Sequence, residues 1–74
     1  MKKQITVNMI NGFGKARFDN KEFTIIRDGQ GLWSLGCKDY TRRFPVTAWL
    51  VENKKRFSTV EKYANNLGLE LIME

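Results

Sequence analysis

Cationic and aromatic side chains stand side by side at several points of this sequence. A cation pairs with a phosphate or a carboxylate, whereas an aromatic ring stacks on a base or fills a pocket in a partner. The same residue types therefore serve for binding nucleic acid or an acidic protein surface. The candidate partner-binding residues are Lys15, Arg17, Trp33, Tyr40, Arg42, Arg43, Lys54, Lys55 and Arg56.

Three of these cations, Lys54, Lys55 and Arg56, are consecutive and precede a predicted helix. The helix dipole is positive at that end, so the cations gain nothing from the helix. Two interpretations stay open. The segment is either a solvated basic turn, or an anion-binding face in which Arg56 and the first helical amides meet a phosphate or a partner carboxylate.

Residues suited to catalysis are scarce. Histidine, the usual acid–base residue near neutral pH, is absent from the sequence. The single cysteine, Cys37, therefore has no imidazole to activate it and no companions for a zinc site, and it is predicted to be a small apolar strand residue. The carboxylates near the predicted turns suit the capping of backbone amides. We expect a non-catalytic protein with no metal and no cofactor.

Length and charge limit the fold and the partners. A chain of 74 residues predicts one small domain, residues 1–74, without room for a deep cleft. The formal net charge of +5 favours nucleic acid or an acidic protein surface as partner. One cysteine fits a reducing compartment, and no apolar run approaches the roughly 20 residues that span a bilayer. We therefore expect a cytoplasmic protein with no membrane partner.

Alternating polar and apolar residues predict strands in the first half of the chain. Asn11-Gly12 predicts a type I′ hairpin turn after the first strand, because both central residues of that turn need a positive φ. The predicted strands run through Ile5 to Met9, Lys15 to Phe18, Phe23 to Arg27 and Leu32 to Cys37.

The second half predicts a helix and a last strand. Ser58 and Glu61 have the spacing of a capping box at a helix start, and Gly68 stands where a left-handed residue ends a helix. The helix is expected at residues 59–67, and the alternation from Leu69 predicts a strand. The expected fold class is α+β: a four-stranded antiparallel meander, one or two helices and a C-terminal strand.

Residues 45–53 allow more than one interpretation. Pro45 suits the start of a helix, whereas the β-branched and aromatic residues that follow favour a strand. A short helix or strand, with a basic turn at residues 53–57, is the favoured interpretation. Heptad spacing also leaves open a long helix, or a homodimer that pairs through a helical seam. The seam residues are Val46, Leu50, Asn53 and Phe57.

The chain also resembles a known class of proteins. Its length, its lysine, asparagine and isoleucine content and its lack of a catalytic signature are similar to those of small phage proteins that disable the machinery of low-GC bacteria. The segment QGLWSL, from Gln30 to Leu35, contains the residue types of a clamp-binding peptide at a different spacing. In this it resembles the staphylococcal phage polypeptides that bind the replicative DNA sliding clamp.

The resemblance implies a function and a partner. We expect an inhibitor or adaptor that occludes a host protein of DNA replication, with the sliding clamp as the best single candidate. The alternative is a small basic nucleic-acid-binding protein.

Overall fold

A computed structural model of this chain contains one β-sheet and one helix. It describes residues 3–74, without the side chains at positions 53 and 54. The elements, in chain order, are β1 (Lys3–Asn8), β2 (Phe13–Phe18), β3 (Lys21–Arg27), β4 (Trp33–Asp39), β5 (Thr47–Lys55), α1 (Phe57–Asn66) and β6 (Leu69–Met73).

The sheet has six strands in the order β5-β4-β3-β2-β1-β6. Strands β1 to β5 form an antiparallel meander, and β6 returns to pair with β1 in parallel, which places Leu71 opposite Ile5. The expected fold class is therefore wrong: the meander has five strands rather than four, and the complete sheet is mixed.

The difference arises at residues 45–53. They contribute to β5, in which Trp49 lies opposite Gly36 and Val51 opposite Leu35, rather than to a second helix. The β-branched and aromatic residues of this segment form ladder hydrogen bonds with β4, and this pairing outweighs the heptad spacing. The helical seam is wrong for the same reason, and the side chain of its member Asn53 lies outside the described residues. The homodimer stays a prediction without that support.

The basic turn predicted at residues 53–57 is also wrong. Lys55 belongs to β5, opposite Trp33, and α1 begins at Phe57. The N-cap is Arg56, and no side chain caps the helix, so the predicted capping box of Ser58 and Glu61 does not form. Within residues 3–74 no helix has the length and apolar character needed to cross a membrane.

The end of α1 confirms the role predicted for Gly68. The helix closes with a C-cap at Leu67, and Gly68 follows with a φ of +85°. The amide of Gly68 donates a hydrogen bond to the carbonyl of Asn65 at 3.1 Å. This left-handed residue turns the chain directly into β6.

The type I′ turn lies at a different place from the predicted one. Asp19 and Asn20, the two residues between β2 and β3, have φ values of 54° and 59°. In the turn between β1 and β2, Gly12 alone has a positive φ. The Asn8 side chain accepts hydrogen bonds from the amides of Ile10 and Asn11 at 3.0 Å each. The Asn8 side chain thus organises a wider turn, and the predicted tight turn at Asn11-Gly12 is wrong.

The core lies between α1 and one face of the sheet. The helix packs against β4 and β5 near one edge and against β6 at the other edge. The opposite face of the sheet carries no helix in the described part of the chain. The buried apolar side chains are Ile5, Val7, Phe23, Ile25, Trp33, Leu35, Val51, Val60, Ala64, Leu69 and Leu71.

A pair of glycine substitutions tests the end of α1. An added Cβ would meet nothing within 4 Å at either Gly68 or Gly29, but only Gly68 has a positive φ. We expect Gly68→Ala to lower the free energy of unfolding by about 1–2 kcal/mol, because alanine is strained in the left-handed region. Gly29→Ala is the control and should be neutral or slightly stabilising. Urea denaturation measures both, and equal stabilities would contradict the assigned turn.

Candidate binding surface on the open face of the sheet

One face of the sheet, here called the open face, lies opposite to α1. Strand residues alternate between the two faces, so each residue between two core residues points to the open face. The registers of β2 to β5 align these outward residues in three rows across the strands, spaced about 7 Å apart. The rows are Phe13–Ile26–Ser34, Lys15–Thr24–Gly36–Trp49 and Arg17–Glu22–Lys38.

The open face carries a cationic cluster, defined as Lys15, Arg17 and Lys38 with Glu22 between them. Glu22 lies opposite Arg17 on β2 and opposite Lys38 on β4, and its carboxylate is 3.4 Å from the Lys15 ammonium. Three cations and one carboxylate leave this cluster with a net charge of +2. Within the part of the chain that the structure describes, Lys15–Glu22 is the one ion pair.

The ring of Tyr40 completes the cluster at the end of β4. The guanidinium carbon of Arg17 lies 4.1 Å from the ring centroid, and the Lys38 ammonium lies 5.3 Å from it. Exposed cation–π contacts contribute about 0.5–1 kcal/mol and surface ion pairs about 0–1 kcal/mol. These contacts orient the cations but are weak enough to yield to a phosphate or carboxylate.

An apolar strip, defined as Phe13, Ile26 and Trp49, lies beside the cationic cluster. The exposed fractions of these side chains are 43%, 39% and 47%. The six-membered ring of Trp49 lies over Gly36, where a Cβ would come within 3.0 Å of two ring atoms. The absence of a side chain at Gly36 therefore lets the indole lie close to the sheet. A shallow depression of about 230 Å³ beside Trp49 is lined by Ile26, Arg27 and Asp28.

The structure brings three of the candidate residues together: Lys15, Arg17 and Tyr40. Trp33 is elsewhere, only 3% exposed in the core, and its ring makes an edge contact with Phe57 at a centroid distance of 5.0 Å. It therefore offers no ring face to a partner.

The remaining candidates lie at opposite ends of β4. Arg42 and Arg43 are exposed in the loop that follows Tyr40, where Arg43 lies 5.4 Å from the ring of Phe44. Exposed Lys55 and Arg56 stand at the other end, opposite the start of β4. The side chain of Lys54 lies outside the described residues. The partner-binding role of these cations stays a prediction.

Sequence reasoning missed four contributors to this surface: Phe13, Ile26, Lys38 and Trp49. None of them stands in a motif of the sequence, and only the strand register brings them together on the open face. The alternation around Gly36 was the available signal, because it puts Lys38 on the face opposite to Leu35 and Cys37. The position of Trp49 depends on β5, which the sequence left open between helix and strand.

The titrating groups near β4 indicate structural roles. Burial raises the pKa of the Cys37 thiol, and nearby Lys21 opposes this shift. Hydrogen bonds from the Thr41 hydroxyl and amide, at 2.6 Å and 3.0 Å, lower the pKa of Asp39 and fix the turn after β4. Among the described residues, no three His, Cys, Asp or Glu side chains gather as a metal site.

Comparison with protein-family models, with curated proteins and with solved structures gave no match to this chain. Its function must therefore be inferred from its own residues.

The raised pKa of Cys37 predicts slow alkylation. At pH 8 the folded chain should hold less thiolate than the urea-unfolded chain, so iodoacetamide should react more slowly with it. The difference should narrow as the pH rises above the pKa of the folded thiol. Equal rates at pH 8 in the folded and unfolded chains would contradict the partly buried environment of Cys37.

The two tryptophans predict opposite responses to a quencher. Acrylamide should quench Trp49 efficiently, because nearly half of its side chain is exposed, and Trp33 weakly. The variant Trp49→Phe should therefore lose the easily quenched emission and keep the protected component. A variant that retains strongly quenched emission would place Trp33, rather than Trp49, at the surface.

Proposed function

We propose that this protein is a non-catalytic binding protein whose ligand lies on the open face of the sheet. The observation that carries the proposal is the position of the cationic cluster, with Tyr40 in it, directly beside the apolar strip. Charged groups steer a partner of opposite charge, and exposed rings supply the apolar contact area. Neither half of this surface requires a bound metal or a cofactor.

The residue types of the open face support binding rather than chemistry. Trp, Tyr and Arg dominate the residues that contribute most to interfaces. The open face carries one of each: exposed Trp49 and Arg17, and half-buried Tyr40. The sequence contains no histidine, and Cys37 has a thiol whose pKa is raised by burial. A thiol that stays protonated is a poor nucleophile.

The sequence predicts a protein as the partner for this function. The resemblance to phage polypeptides predicts a host protein of DNA replication, with the sliding clamp as the best single candidate, and this stays a prediction. An acidic surface on such a protein would complement the net charge of +2 on the cationic cluster. Location of the chain in the cytoplasm likewise stays a prediction.

A pull-down with charge-reversal variants tests the proposal. The immobilised chain is exposed to a lysate of a low-GC Gram-positive bacterium, with and without nuclease, and the retained molecules are identified. Lys38→Glu should abolish specific retention, because it reverses a charge in the cationic cluster. Lys62→Glu reverses a charge on an exposed residue of α1 and should retain the partner. Equal retention by both variants would contradict a binding role for the open face.

A further inference from the structure

We infer that the ligand of the open face is single-stranded nucleic acid, with its bases against the apolar strip and its phosphates at the cationic cluster. This inference rests on the proposed function, because it names the chemistry of the ligand for the same surface. It follows from the position of the rings of the apolar strip beside the charges of the cationic cluster on the same face.

The rings of the apolar strip are placed as stacking platforms. The Trp49 ring lies over Gly36, and the lack of a side chain there lets it lie close to the sheet. Phe13 is exposed on β2. Bases stack on such rings without regard to sequence, because every base has a π face. Trp49 and Phe13 stand on strands three spacings apart, about 14 Å, with Ile26 on a strand between them.

A cation of the cationic cluster lies near each ring of the apolar strip. Along β2, Arg17 is four residues from Phe13 and Lys15 is two, which corresponds to about 13 Å and 7 Å. On β4, Lys38 stands one row from Gly36, and thus from the Trp49 ring that lies over it. Each ring therefore has a cation one row away. A base stacked on either ring would therefore have a cation near its phosphate.

A single strand can contact both the apolar strip and the cationic cluster, whereas a duplex contacts only the cationic cluster. In a duplex the base faces are already stacked, so only the phosphates are available to the cationic cluster, and the apolar strip stays exposed. In a single strand the bases are free to splay onto protein rings. The formal net charge of +5 adds a long-range attraction for a polyanion.

Titration of the full chain with an oligothymidylate of about 12 nucleotides, within the range of known single-strand sites, tests the inference. Binding should quench Trp49 fluorescence and weaken with salt. Two or three phosphate contacts predict a log–log salt slope of about −1.4 to −2.1, from about −0.7 per contact on single strands. A duplex oligonucleotide of matching length should bind more weakly, and equal or tighter duplex binding would overturn the inference.

Ring variants separate stacking from charge. Trp49→Ala should weaken oligothymidylate binding about 5- to 150-fold, the range found for loss of one base stack. Gly36→Ala should also weaken it, because the added Cβ would meet the Thr47 methyl at 2.8 Å and the Trp49 ring at 3.0 Å, and would displace the ring without changing any charge. Tyr63→Ala removes an exposed ring from α1 and is the matched control, for which affinity should not change. Circular dichroism confirms that each variant is folded.

Charge variants test the phosphate contacts inferred at the cationic cluster. Lys38→Gln should weaken binding and reduce the magnitude of the salt slope by about 0.7. Lys62→Gln, its matched control on α1, should leave the slope nearly unchanged. Glu22→Gln should bind more tightly, by about fivefold, because it removes repulsion of the size expected for unit charges ~4 Å apart in water.

The outcomes distinguish this inference from the proposed function. If oligothymidylate fails to bind while the pull-down retains a protein that Lys38→Glu loses, the ligand is a protein, and the nucleic-acid inference is overturned but the binding function stands. If the lysate yields no molecule whose retention depends on Lys38, the proposed function fails. Binding that the ring and charge variants leave equal to their controls would place nucleic acid on another surface and overturn the inference.

Discussion

A single ten-residue helix has to cover one face of a six-stranded sheet, and the rest of the structure depends on this constraint. Six strands span about 24 Å, whereas ten helical residues extend about 15 Å. The helix nevertheless packs against β4 and β5 near one edge of the sheet and against β6 at the other edge. Val60 and Ala64 of the helix and Leu69 and Leu71 of β6 enclose the inner face. This burial of apolar surface is the main source of stability for so small a chain.

In the described part of the chain, the same constraint leaves the second face of the sheet without a covering helix. A solvated sheet face ordinarily carries polar residues in alternation with the core, and Gln4, Thr6 and Thr24 follow that rule. Trp49, Phe13 and Ile26 depart from it. Exposed apolar residues are common singly, but their grouping across neighbouring strands next to a cationic cluster is the pattern of an interaction surface. Gly36 adds to this, because the lack of a side chain there leaves room for the indole of Trp49 close to the backbone.

The sequence predicted local features better than connections between distant segments. The strand around Ile5 follows from alternation, the strand from Phe23 follows from its β-branched and aromatic residues, and the left-handed Gly68 follows from the need to end a helix. The sequence could not distinguish a helix from a strand at residues 45–53, because Val46 and Leu50 satisfy a heptad while the strand propensity of Trp49 and Val51 needs β4 to become decisive. Ser58 has the spacing of a cap, but the pairing of β5 sets the start of α1 two residues earlier than such a cap allows. Of the site, Lys15, Arg17 and Tyr40 were predictable as candidates. Lys38 and Trp49 were not predictable, because the register of β3, β4 and β5 places them on the open face.

The location of the ligand can be measured directly by NMR. Amide and indole shifts of the isotope-labelled chain, followed during addition of oligothymidylate, identify the face that is contacted. Binding on the open face predicts changes at Gly36, Lys38, Tyr40 and the indole N–H of Trp49, with the indole of buried Trp33 and the exposed side of α1 unaffected. Shift changes concentrated at Arg56 and the start of α1, with Trp49 unchanged, would contradict the assignment of the open face as the binding surface.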